Sequence, residues 1–151
     1  MSLKEDLIAS LLATGNPPFK SIRTERKVPW PLVSSKREWP SADIFLPISR
    51  YKICIVETDE STDPLRNVAK YWPLLQAIER HSFKYPKVLL IAIIKKTRAM
   101  GDSYPRLASF VGKQMQAFCP SSFEFHSIVI PRADTDELAR QVCETIKQCG
   151  L

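Results

Sequence analysis

Asp43, Glu57 and Asp59 are the residues whose types and spacing point to chemistry. They lie in the segment SADIFLPISRYKICIVETDESTDPLRNVAKYW, residues 41–72. Positions 43 and 57 are symmetric about Arg50, a turn centre, and symmetric positions of an antiparallel hairpin lie opposite each other. Asp43 opens the first strand of that hairpin and Glu57 closes the second, which predicts both at one end of a sheet. With side chains alternating every two residues, Glu57 and Asp59 share a face if the strand extends so far. Three carboxylates at one sheet end suit a hard divalent cation such as Mg²⁺ or Mn²⁺, which takes carboxylate oxygens and retains several waters. Such a site serves phosphodiester chemistry.

The neighbouring elements are legible from periodicity. Leu3, Leu7, Ile8, Leu11 and Leu12 recur at helical spacing before Gly15. Prolines at 17, 18, 29, 31 and 40 then break up the chain, leaving a short strand within residues 19–28 and a loop carrying Trp30 and Trp39. Those two indoles read as packing anchors, with base stacking as the alternative. Ile53 to Val56 is a continuous apolar run, as in a strand buried on both faces. Asp63 and Pro64 then suit an N-cap and first helical position. Leu65, Val68, Ala69, Trp72 and Leu75 form the apolar stripe of that helix, with Arg66 and Lys70 on another face and Pro73 interrupting it near residues 69–72. Residues 87–94 form the clearest strand. A helix follows from Asp102 or Ser103, with Leu107, Phe110, Val111, Met115 and Phe118 on one face, and residues 123–130 form another strand. Asp134 and Glu137 open a last helix carrying Leu138, Val142, Ile146 and Cys149. The order αβββαβαβα predicts an α/β chain with an α+β-like core, in which a mixed central sheet has helices on both faces.

Composition narrows the function classes. The 151 residues fit one domain, 1–151, and the net charge of +6 favours polyanionic partners, nucleic acid first. No apolar run approaches the roughly 20 residues of a membrane helix, and the N-terminus lacks a signal-peptide layout. Cys54, Cys119, Cys143 and Cys149 form no CxxC pair, and neither His81 nor His126 has zinc-ligand spacing to them. They read as reduced thiols, and the expectation is a cytoplasmic protein. The four glycines (15, 101, 112 and 150) make no phosphate loop, and there is no GxSxG.

With this order of elements, Ala42-Asp43 on one strand and Glu57-Thr58-Asp59 on the next resemble the PD-(D/E)XK nuclease superfamily, the restriction-endonuclease-like fold. The resemblance covers residues 3–94. It implies metal-dependent hydrolysis of nucleic-acid phosphodiesters, DNA foremost, with Asp43, Glu57 and Asp59 as the metal ligands. Asp59 stands where the family has its lysine, which positions the attacking water and stabilises developing charge. In some members the lysine comes from the following helix, and Lys70 is the residue here that fits that position. Glu5 resembles an acid that some members carry on the first helix. Arg23, Lys27, Arg66 and Lys70 are the expected contacts to backbone phosphates. A homodimer or a specificity subunit is implied by analogy. Two alternatives stand beside this reading: a catalytically inactive nuclease-like module that binds nucleic acid or a protein, and an unrelated α/β domain binding a ligand at a sheet switch point.

Overall fold

Strand and helix follow the apolar pattern of the chain. The computed structural model describes residues 2–60, 63–98, 100–131 and 134–150. Helix α1 (Leu3–Leu12) leads into strands β1 (Arg23–Lys27), β2 (Ser41–Pro47) and β3 (Lys52–Asp59), with one 3₁₀ turn at Lys36–Glu38 between the first two. Helices α2 (Pro64–Ala69) and α3 (Trp72–Glu79) then precede β4 (Lys87–Lys95), α4 (Ser103–Phe118), β5 (Phe123–Ile130) and α5 (Thr135–Gln148). The five strands form one sheet in the order β1-β2-β3-β4-β5. The β1–β2 and β2–β3 pairs are antiparallel, while β3–β4 and β4–β5 are parallel. The chain is therefore α/β with a mixed sheet flanked by helices. No helix among the described residues is long and apolar enough to cross a membrane.

Burial follows sheet position. β3 and β4 lie inside the sheet, and their Ile53–Val56 and Val88–Ile94 runs are buried on both faces. β1 is an edge strand, RTERK, with all five residues exposed. β3 to β4 and β4 to β5 are successive parallel crossovers in one direction, and a common handedness places both on one face. Helices α2, α3 and α4 pack there over Phe45, Ile53, Ile55, Val88, Leu90, Phe123 and Phe125. On the opposite face, α1 and α5 pack Leu3, Leu7, Leu11, Leu138, Val142 and Ile146 onto Ile44, Leu46, Val56, Leu89 and Ile91. None of the four cysteines is in a disulfide; three are buried and Cys149 is partly exposed.

Two helices depart from the sequence expectation. The face predicted for α4 from Leu107, Phe110, Val111, Met115 and Phe118 does not face the sheet as a unit, since Met115 is buried but Phe110 is 60% exposed. The helix turns Pro105, Ala108, Gly112 and Met115 inward, because Phe123 and Phe125 already fill the space between helix and sheet. A side chain at position 112 would run into the Phe125 ring. The stripe after Asp63 is also rephased. Pro73 lacks the N–H a continuous helix needs, so the helix stops at Ala69 and restarts at Trp72. Tyr71, three residues after Val68, is in the core, and Trp72 is 42% exposed. Asp63 occupies the N-cap of α2 without a capping side-chain bond to the helix.

Candidate functional site

The hairpin positions the acids. Ile44 faces Val56 across β2 and β3, and residues 43 and 57 follow one step further at the same end. Ile53 and Ile55 belong to the core beneath α2, and Cys54 and Val56 to the core beneath α1. Alternation therefore sends Glu57 and Asp59 toward α2, and Thr58 toward α1. Both acids are nearly inaccessible, Glu57 at 2% and Asp59 at 3%.

Burial of a carboxylate at the end of a central strand requires donors. The break between α2 and α3 supplies them. Lys70 Nζ lies 2.8 Å from Glu57 Oε1, and the Tyr71 hydroxyl donates to the same oxygen. Lys70 Nζ also donates to the Ser41 carbonyl at 3.3 Å. Its own carbonyl accepts the Trp30 indole N–H at 2.9 Å. One turn earlier, Asn67 Nδ2 donates to Asp59 Oδ2 at 2.9 Å. Burial pushes the Glu57 carboxyl up to about 7; Lys70 opposes that rise and the Asp43 charge adds to it. Burial, then the Glu57 charge, drives the Tyr71 phenol well above its ordinary range.

Asp43 faces the other way. Its Oδ2 accepts the Thr58 N–H at 3.0 Å and the Thr58 hydroxyl at 3.1 Å, and Lys4 Nζ of α1 lies 3.9 Å from its Oδ1. Lys4 also pairs with Glu25, a residue of β1 held at φ 52°, in the left-handed region that only a few per cent of non-glycine residues occupy. Glu5 closes a capping box with Ser2 at the start of α1. It is Lys4, rather than Glu5, that α1 brings to Asp43. Beyond Asp59, Glu60 accepts the Leu3 N–H at 3.3 Å and lies 3.6 Å from Lys95, tying α1 and β4 to this end of the sheet.

The donor chemistry suits a hard cation in part. Asp43 and Glu57 lie just beyond the Ile44–Val56 pair at one end of β2 and β3, and burial, against Lys70, raises the Glu57 carboxyl to about 7. One or two carboxylates with waters are a usual Mg²⁺ set. Asp59 accepts the Asn67 amide, and among the described residues no group of three His, Cys, Asp or Glu side chains converges as a cation site. The structure joins Glu57, Lys70 and Tyr71 directly, with Asp59 and Asn67 adjoining and Asp43 near enough for its charge to act on Glu57 and Tyr71.

The expected phosphate contacts divide in two. Arg66 and Lys70 line one groove of about 460 Å³ with Trp30, Glu38, Pro40, Asn67 and Ala69. Arg23 and Lys27 lie on the exposed edge strand β1. Lys27 Nζ donates to the Trp39 carbonyl at 2.8 Å and the Arg37 carbonyl at 3.4 Å, so it anchors the loop after β1. Tyr71, Asn67, Thr58 and Lys4 were not singled out from sequence. Only Tyr71 carried a signal: it adjoins Lys70 just before a helix-breaking proline.

No protein-family model matches this chain, and no curated protein matches it.

Proposed function

We propose that this chain is a restriction-endonuclease-like protein that hydrolyses nucleic-acid phosphodiesters, DNA foremost, with Mg²⁺ or Mn²⁺. The observation that carries this reading is the 2.8 Å pair between Lys70 Nζ and Glu57 Oε1. It supplies, from the helix after β3, the acid–lysine partnership that Asp59 in the E-x-D sequence removes. Asp43 and Glu57 would hold the ion. When bound, it supplies Lewis-acid stabilisation of the phosphate and a more acidic water. Tyr71 and the surrounding core fix the Glu57 carboxylate, so little reorganisation is needed as charge develops. Lys70, one-fifth exposed, reaches from Glu57 toward solvent and can donate to a phosphate oxygen. Arg66, one turn away, offers a planar fork for a second.

The test is cleavage of labelled single- and double-stranded DNA and RNA in Mg²⁺ or Mn²⁺, with Asp43→Ala, Glu57→Ala and Lys70→Ala in parallel. The expected outcome is loss of cleavage in the first two and a fall of about 10²–10³-fold in the third. Cleavage that persists in all three variants, or none in the unmodified protein with either metal, sinks the hydrolytic reading.

A second reading draws on a different observation. Asp43, Glu57 and Asp59 each accept hydrogen bonds from protein donors already, as in a module that keeps the fold and binds nucleic acid without cutting it. Binding by the unmodified protein in both metals, with no product, would favour it.

A further inference from the structure

The groove of about 460 Å³ on the outer side of α2 has its own chemistry. Its volume falls within the roughly 300–1,000 Å³ of small-ligand clefts. Trp30 and Pro40 give it apolar walls, Arg66 and Asn67 give it donors, and Glu38 gives it one carboxylate. The Trp30 ring is fixed, because its N–H is spent on the Lys70 carbonyl at 2.9 Å. Lys70 thus belongs to both places: its side chain lies on Glu57 at 2.8 Å and its residue forms a wall of the groove. A strand with a phosphate beside Lys70 would have its next nucleotide within reach of Trp30.

We infer that this groove takes one unpaired nucleobase, stacked on Trp30 with its phosphate on Arg66, so that the chain acts on single-stranded or frayed nucleic acid rather than intact duplex. Bases in a duplex are stacked on each other and cannot offer a face to an indole, whereas an unpaired base can. A fixed aromatic wall loses little entropy when a base covers it. Glu38 repels phosphate, which leaves the Arg66 and Lys70 end for the backbone. The inference rests on the phosphodiester reading of the adjoining acids, and its test separates the two.

The experiment uses the full chain in EDTA, so that nothing is cleaved. Of the three tryptophans, Trp39 and Trp72 are changed to Phe, leaving Trp30 as the only indole reporter. Oligothymidylate and oligoadenylate are titrated against a duplex hairpin of the same length. The single strands are expected to quench Trp30 saturably, and the duplex to leave it unchanged. In the otherwise unmodified protein, followed by anisotropy of a labelled strand, Trp30→Ala should weaken single-strand binding about 5- to 150-fold and leave duplex binding unaltered. Trp30→Phe keeps a ring but loses the bond to Lys70, and should retain most of the single-strand binding. Equal losses for single strand and duplex in Trp30→Ala, or a loss in Trp30→Phe as large as in Trp30→Ala, would overturn the inference. If the protein cleaves but Trp30 is not quenched, only the groove assignment fails. Quenching without cleavage supports it and removes only the hydrolytic reading.

Discussion

Glu57 at the end of β3 and Glu137 in the first turn of α5 each face a cation, Lys70 in one case and Arg140 in the other. On α5, Arg140 donates to Glu137 and reaches Glu144 at 2.6 Å. All three side chains are exposed, and the Arg140 hydrogen bonds hold the Glu137 carboxyl down at about 2. At the end of β3 the same kind of partnership fails to do this. Burial outweighs Lys70 and Tyr71 together, and the Glu57 carboxyl stands at about 7. The contrast is one of solvent. An exposed pair keeps its water and gains a little Coulomb energy, whereas a buried carboxylate loses hydration that one ammonium and one phenol do not replace. A sheet end that required only stability would accommodate an apolar residue at 57, as it does at 55. The ionised acid costs folding free energy at this position, and carboxyls perturbed in this way cluster at functional sites.

Lys70→Met should break the comparison most strongly. It strands Glu57 in the core, and removing one member of a buried pair costs about 3–5 kcal/mol. Glu57 can escape by taking a proton, so the loss should be largest at pH 8 and clearly smaller at pH 5.5. Urea denaturation in EDTA at the two pH values measures this. An equal loss at both would mean that Lys70 acts by packing alone.

Glu57→Gln sharpens the same point. The folded carboxyl titrates at about 7 and the unfolded one at about 4.5, so between those values the folded state binds the extra proton. The stability this confers is complete below pH 4.5 and is lost as pH rises through 7. The shift corresponds to about 3 kcal/mol. The variant should lose this slope, visible as a flatter plot of urea midpoint against pH from 4.5 to 7. Glu137 runs in the opposite sense: its depressed carboxyl supports the fold above its ordinary range and ceases to do so as pH falls toward 2.

Much of this arrangement could be read from the chain. The register that sets Ile44 opposite Val56 followed from symmetry about Arg50, because register in a hairpin is set by the turn and by the apolar alternation of Ile44, Leu46, Cys54 and Val56. Pro73 forecast the helix break. Which of Tyr71 and Trp72 is buried was not legible. Lys70 and Tyr71 keep right-handed helical backbone angles across the break, so Pro64, Val68, Tyr71, Leu75 and Ile78 recur inward every three or four residues while Trp72 is left exposed; the spacing from Val68 suits either aromatic residue. The inward face of α4 was hidden for a related reason. Apolar spacing favours Leu107 and Phe110, but the space is set by Phe125 on a strand that follows it in sequence; no side chain fits at Gly112, and Pro105, Ala108 and Met115 share its inward face. At the site, spacing placed the three carboxylates at one sheet end but not their partners. Thr58, Asn67 and Lys4 come from different elements, and which donor an acid selects depends on the packing of α1 and α2 against opposite faces of the sheet.

Smaller changes define the ends of the scale. Tyr71→Phe deletes one donor to Glu57 and nothing else in volume, so it should cost about 1 kcal/mol. It should also move the pH at which stability declines upward, since the phenol helps hold the carboxylate charged. Arg140→Ala should do least. It removes all three bonds of an exposed network on α5, and such pairs are diluted by water and screened by salt within about 10 Å at 0.1 M. The expected result is a urea midpoint close to that of the unmodified protein, with any difference vanishing when the titration is repeated in 1 M NaCl. A loss that survives high salt would instead assign Arg140 a packing role, through the aliphatic part of its side chain lying along α5. In that case exposure alone would no longer distinguish the α5 network from the pair at the end of β3.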